Sequence, residues 1–171
     1  MEKSILMVIA PNRFRDEEFL VPKKIFEDAG VDVTVASTRT GIATGKLGVK
    51  VNVETNISDV KADDFDAVVF VGGGGVEDYR LHQNPKLHNL VIEAYNQNKV
   101  TAAICIAPMI LAESGILKEK NVTTFPSSED YITQRGGHLT HESVSVDGKI
   151  VTGNGPEAAR KFGETILKLL G

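Results

Sequence analysis

One cysteine, Cys105, stands in "KVTAAICIAPMILAESG", between an apolar run and a proline. Val100–Ile104 reads as a buried strand and "PMILAES" as a helix start, which puts Cys105 at a sharp strand–turn–helix corner. Nucleophile elbows hold their reactive side chain at such a corner. A thiol there lies at the positive end of the following helix, which favours thiolate. The backbone N–H of Ile106, with one more from the glycine run Gly72–Gly75, is placed to stabilise an oxyanion. The plain alternative is that a lone cysteine is a small, buried and inert core residue.

The second candidate is Glu18, in "PNRFRDEEFLVPKKIFEDAG". A helix from about Asp16 to Ala29 places Glu18 on one stripe with Val21, Ile25 and Ala29, the side that faces the rest of the protein. A carboxylate there is costly without a partner, and burial raises its pKa so that it holds a proton near neutral pH. Alternatively, Glu18 lies at the edge of the stripe and reaches water. Asp16 and Glu17 read as ordinary negative charges on a helix N-terminus.

Other motifs carry less. In "GGGG", Gly72–Gly75, backbone N–H groups can approach a ligand closely. The run does not follow the first strand, and Glu77 falls where a dinucleotide fingerprint needs its third glycine. "GIATGKLG" is one residue short of a phosphate-binding loop and has Leu47 where Ser or Thr belongs. The histidines His82, His88, His138 and His141 complete no ligand set, so neither a metal nor a cofactor is expected.

These residues need a scaffold. Strands are predicted at Ser4–Ala10, Val31–Ser37, Asp66–Val71, Val100–Ile104 and Asn121–Phe125, several of them apolar at nearly every position. Between them lie helical stripes, Leu87, Leu90, Val91 and Ala94 in one, and Ala159, Phe162, Ile166 and Leu169 in another after Pro156. Hairpins are predicted around Thr40–Val53 and at "SVSVDGKIVTG", where Asp147-Gly148 makes the turn. The alternation predicts one domain over residues 1–171: a three-layer α/β/α sandwich, flavodoxin-like, with a mainly parallel sheet and added β-hairpins. Such sheets bind ligands at the carboxyl ends of their strands, where Cys105 and the glycine run fall.

Apolar content of 42%, charged content of 25% and a net charge of −4 suit a soluble globular protein. The scattered basic residues argue against nucleic acid or an anionic membrane as partner. One cysteine makes no internal disulfide, and the apolar run before Pro11 is too short to span a bilayer, so a cytoplasmic protein is expected.

"FDAVVFVGGGG", "AAICIAP", "GGHLTHE", "DEEFLVP" and "GNGP" together resemble the PfpI and Parkinson-protein (DJ-one) family, of the class I glutamine-amidotransferase-like superfamily. The resemblance runs from the first strand to the last helix. It implies a reactive Cys105, a protonated Glu18 bonded to its thiolate, and oxyanion donors at the N–H groups of Gly73 and Ile106. It also implies a homodimer or higher homo-oligomer. Protease-like members place a histidine after the nucleophile, where this chain has Ile106, and many others have one where it has Phe125. Peptidase chemistry therefore ranks third. The first expectation is a glyoxalase- or deglycase-type enzyme acting on a small reactive aldehyde, and the second a stress protein whose cysteine meets an oxidant.

Overall fold

Strands that are apolar on both faces need cover on both faces, and the chain supplies it by alternating them with helices. The structure, a computed structural model, describes residues 2–171. In chain order the strands are β1 (Ser4–Val8), β2 (Asn12–Phe14), β3 (Asp32–Ser37), β4 (Gly41–Gly45), β5 (Lys50–Val53) and β6 (Thr55–Asn56). They continue with β7 (Ala67–Phe70), β8 (Val100–Ile104), β9 (Asn121–Val122), β10 (His138–Leu139), β11 (Val144–Asp147) and β12 (Ile150–Gly153). The helices are α1 (Asp16–Asp28), α2 (Gly75–Asp78), α3 (Pro85–Asn96), α4 (Pro108–Glu113), α5 (Glu129–Gln134) and α6 (Ala159–Leu170).

Seven strands form the central sheet in the order β11-β12-β8-β7-β1-β3-β6. All pairs are parallel except β11 with β12. β1, β7 and β8 lie in the middle and their apolar side chains are fully buried. Helices α1 and α6 pack together against one side, and α3 and α4 against β7 and β8. The expected sandwich is therefore present, and both helical stripes are buried apart from Leu169, which is half-buried.

Three expectations need correction. The "DGKIVTG" hairpin is not an ornament: β12 pairs with β8 inside the central sheet. The run Asn121–Phe125 is not a sheet strand; only Asn121 and Val122 are extended, paired with β10 in a separate ribbon. Beyond them the backbone N–H of Thr123 donates to Thr152 Oγ1 and the Thr124 hydroxyl to the Cys105 carbonyl. Polar anchors replace a ladder there. The buried face of α1 runs through Glu18, Phe19, Pro22 and Phe26, with Val21 and Ile25 half-buried and Ala29 exposed.

Candidate active site

The carboxyl ends of β7 and β8 bring the glycine run and the cysteine together. Cys105 has φ 65°, a left-handed conformation that costs an ordinary residue roughly 1–2 kcal/mol. Neighbouring segments hold it there. Its N–H donates to the Gly153 carbonyl at 2.9 Å, and its own carbonyl accepts from Phe125 N–H at 2.9 Å and from the Thr124 hydroxyl at 2.8 Å. The strained corner is clamped from both sides, by β12 and by residues 124–125. Sequence periodicity has no signal for such a clamp, because it joins segments 19 or more residues apart.

Glu18 enters from the first turn of α1 and is completely buried. Its Oε1 accepts from Gly72 N–H at 3.0 Å, while Oε2 has no hydrogen bond of regular geometry. The Cys105 thiol lies close enough to the carboxyl to bias its proton. Gly72 is what permits this approach. A Cβ on it would lie 2.6 Å from Cys105 Cβ, 2.6 Å from Glu18 Oε1 and 2.5 Å from the Ile104 carbonyl oxygen. Gly73 takes φ 105°, and a side chain there would meet the backbone of Arg13 and Arg15. The backbone N–H groups of Gly73 and Ile106 both face the sulfur. Cys105, Glu18, Gly73 and Ile106 thus meet in one place.

The proton balance differs from the thiolate expectation. Burial pushes the Cys105 thiol up to about 12, and the Glu18 charge adds to it. The N–H groups of Gly73 and Ile106 pull the other way and do not offset this. Burial also raises Glu18 to about 7, against the opposing pull of the thiol and of Gly72 N–H. Two buried acids side by side do not both ionise readily. The resting pair is a thiol beside a carboxyl group poised near neutrality. Helix α4 is a short, six-residue element starting three residues further on, and its dipole is a small influence here.

A cavity of about 220 Å³ opens over the thiol, and its lining includes the apolar Ile106, Phe125 and Pro156 and the charged Arg15, Lys46 and Glu77. No histidine lines it. His88 donates to the His82 carbonyl, the His82 ring packs edge-on against Tyr131, and His141 pairs with Glu129. Among the described residues no three His, Cys, Asp or Glu side chains cluster to hold a metal ion, and no helix is long and apolar enough to cross a membrane.

One side chain beside the site departs from its expectation. Asp16 is not a solvated helix-end charge; it is buried, and its carboxylate accepts from the N–H groups of Leu47 at 2.8 Å and Val49 at 2.9 Å. It fastens the β4–β5 hairpin to α1 next to the site. The partner amides lie more than thirty residues away in sequence, beyond any local pattern.

The sequence pattern that defines the DJ-1/PfpI family matches residues 3–169. An uncharacterized protein of Methanocaldococcus jannaschii is 46% identical over 168 residues, covering 97% of this chain and 82% of the relative. A protein named deglycase PfpI, from Pyrococcus furiosus, is 31% identical over 96% of this chain and 98% of its own. The crystal structure of a ThiJ/PfpI domain protein from Brachyspira murdochii superposes with a TM-score of 0.95 at 37% identity, covering 99% of this chain and 98% of that one. A parallel-sheet sandwich with a cysteine at its elbow defines the class I glutamine-amidotransferase-like architecture. Within it, the chain belongs to the DJ-1/PfpI family.

Proposed function

We propose that this protein is an enzyme acting on small reactive aldehydes, of the deglycase or glutathione-independent glyoxalase type, with Cys105 as nucleophile and Glu18 as its proton carrier. The observation that carries the reading is the buried Glu18 carboxyl beside the Cys105 thiol, held near neutrality by burial. A general base works best when its pKa lies close to the working pH. The deglycase name of the Pyrococcus relatives agrees with it.

The chemistry follows from the pair. As the sulfur adds to the aldehyde carbon, the thiol proton passes to the Glu18 carboxylate. The aldehyde oxygen collects the negative charge against the N–H groups of Gly73 and Ile106 and takes that proton from Glu18, giving a hemithioacetal and restoring the carboxylate. With a 2-oxoaldehyde, Glu18 then removes the proton from the carbon bearing sulfur and returns one to the neighbouring carbon. The product of that shift is a thioester of a 2-hydroxy acid. Water adds to it, the C–S bond breaks, and the thiol is restored; the net reaction adds one water to the 2-oxoaldehyde.

Amide hydrolysis needs a proton donor for the leaving amine, and no imidazole of this chain lines the cavity. Oxidation would leave Cys105 without an internal resolving thiol, since the chain has no second cysteine. Both alternatives fall behind aldehyde chemistry.

Family members are commonly oligomeric. We propose that a second copy of this chain covers Leu20, Ile42 and Leu47, which are 44%, 60% and 63% exposed. Leu20 follows Asp16 by one helical turn, and Asp16 holds the Leu47 amide, which brings the hairpin turn up to the helix that carries Leu20.

The test is loss of methylglyoxal and appearance of lactate without glutathione, in the wild type, Cys105→Ala and Glu18→Gln. Turnover in the wild type that falls by about a hundredfold or more in both variants is expected. Wild-type turnover no higher than that of Cys105→Ala would remove the enzyme reading.

A further inference from the structure

Phe125 is the one large apolar side chain at this cavity that is left substantially open, at 39% exposure; Ile106 beside it is 6% exposed. Its position relative to the sulfur is fixed by the backbone. The Phe125 N–H donates to the Cys105 carbonyl at 2.9 Å, and the Phe125 carbonyl accepts from Ser128 N–H and Ser128 Oγ, each at 3.0 Å. Gly155 backs the ring: a Cβ on that residue would sit 3.5 Å from Phe125 Cδ1. The ring is backed by Gly155 and borders the same cavity as the thiol.

The cavity lining also carries charge, yet it offers no unpaired guanidinium. Arg15 gives two 2.9 Å hydrogen bonds, from Nε and one terminal nitrogen, to the two oxygens of Glu17. Lys46 lends its charge to the same Glu17 carboxylate, and Glu77 adds a further negative charge to the lining. Arg15 and Lys46 are matched in number by Glu17 and Glu77, so there is no net charge here to draw an anionic substituent. An apolar substituent gains the face of Phe125 together with Ile106 and Pro156.

We infer that Phe125 makes the pocket select carbonyl compounds carrying an apolar group, with the aldehyde at Cys105 and the apolar group against the ring. This rests on the aldehyde reading and narrows its substrate class to aldehydes with alkyl or aryl substituents, in preference to unsubstituted or carboxylate-bearing ones. One additional apolar group in such a pocket is worth about tenfold or more in discrimination.

The lone cysteine allows a test that needs no turnover. Rates of Cys105 alkylation by 2-chloroacetamide, N-benzyl-2-chloroacetamide and chloroacetate are read by intact-protein mass spectrometry, with Cys105→Ala as blank. Each rate is divided by that for glutathione under the same conditions. In every case the S–C bond forms, the C–Cl bond breaks, chloride leaves, and the thiol proton passes through Glu18 to water. The benzyl reagent is expected to exceed 2-chloroacetamide by about tenfold in the wild type, fall to near parity in Phe125→Ala, and keep most of its advantage in Phe125→Leu. No benzyl preference in the wild type, a preference that survives in Phe125→Ala, or chloroacetate reacting fastest would each overturn the inference. Absence of methylglyoxal turnover would count against the enzyme reading alone, since the alkylation ratio is measured without it.

Discussion

Replacing Glu18 by Gln tests the site through the stability of the whole protein. The Glu18 carboxyl rises from 4.5 to about 7 on folding, chiefly because it loses water. Below 4.5 both the folded and the unfolded chain carry the proton, so burial of the neutral acid adds no pH-dependent cost. Between 4.5 and about 7 the unfolded chain ionises and the folded one does not, so rising pH favours unfolding. Above about 7 the full difference is present, and at about 1.4 kcal/mol per pH unit it amounts to about 3 kcal/mol. Cys105 adds nothing in this window, because its thiol keeps its proton in both states. Urea unfolding at about pH 4 and about pH 8 should therefore show the wild type losing about 3 kcal/mol more than Glu18→Gln. Glutamine keeps an acceptor for Gly72 N–H, so the two proteins differ mainly in the titrating group. Equal pH dependence in both would mean that Glu18 ionises over the same pH range in the folded and the unfolded chain, and the idea of a carboxyl poised near neutrality would be refuted.

Two further outcomes follow from geometry. Gly72→Ala forces a methyl to within 2.6 Å of both Cys105 Cβ and Glu18 Oε1, so it should cost about 1–3 kcal/mol in thermal or urea unfolding and remove aldehyde turnover. Unchanged turnover would show that the close approach of thiol and carboxyl is dispensable. Leu47→Glu, at a tip residue that is 63% exposed, should shift the protein to monomer in size-exclusion chromatography with light scattering while its melting temperature changes little. An unchanged oligomer would place the interface elsewhere.

Much of this architecture was written in local patterns. The apolar runs at Ser4–Ala10 and Val100–Ile104 announced β1 and β8, and an apolar run ending just before a cysteine and a proline announced the elbow. Glu18 was legible as a carboxylate on the inner side of its helix, although its depth was not. Contacts closed over long sequence separations stayed hidden. Asp16 looked like any helix-end acid because the amides that bury it belong to a distant hairpin. Thr123 and Thr124 looked like strand residues because β-branched residues usually are, whereas here they spend their polar groups on Thr152, Glu142 and the Cys105 carbonyl. The two-residue strand β6 at the sheet edge is too short to leave any periodicity.

The first turn of α1 does two jobs within three residues: Asp16 fastens the hairpin, and Glu18 reaches the thiol. The hairpin is consequently a handle on the chemistry. A molecule that grips its tip pulls, through Asp16, on the same helical turn that aims the carboxyl at the sulfur. An engineer who alters that hairpin at Leu47 or Val49 is therefore working on the mount of the reaction centre, whereas a change at Lys46, in the same turn, touches the cavity itself.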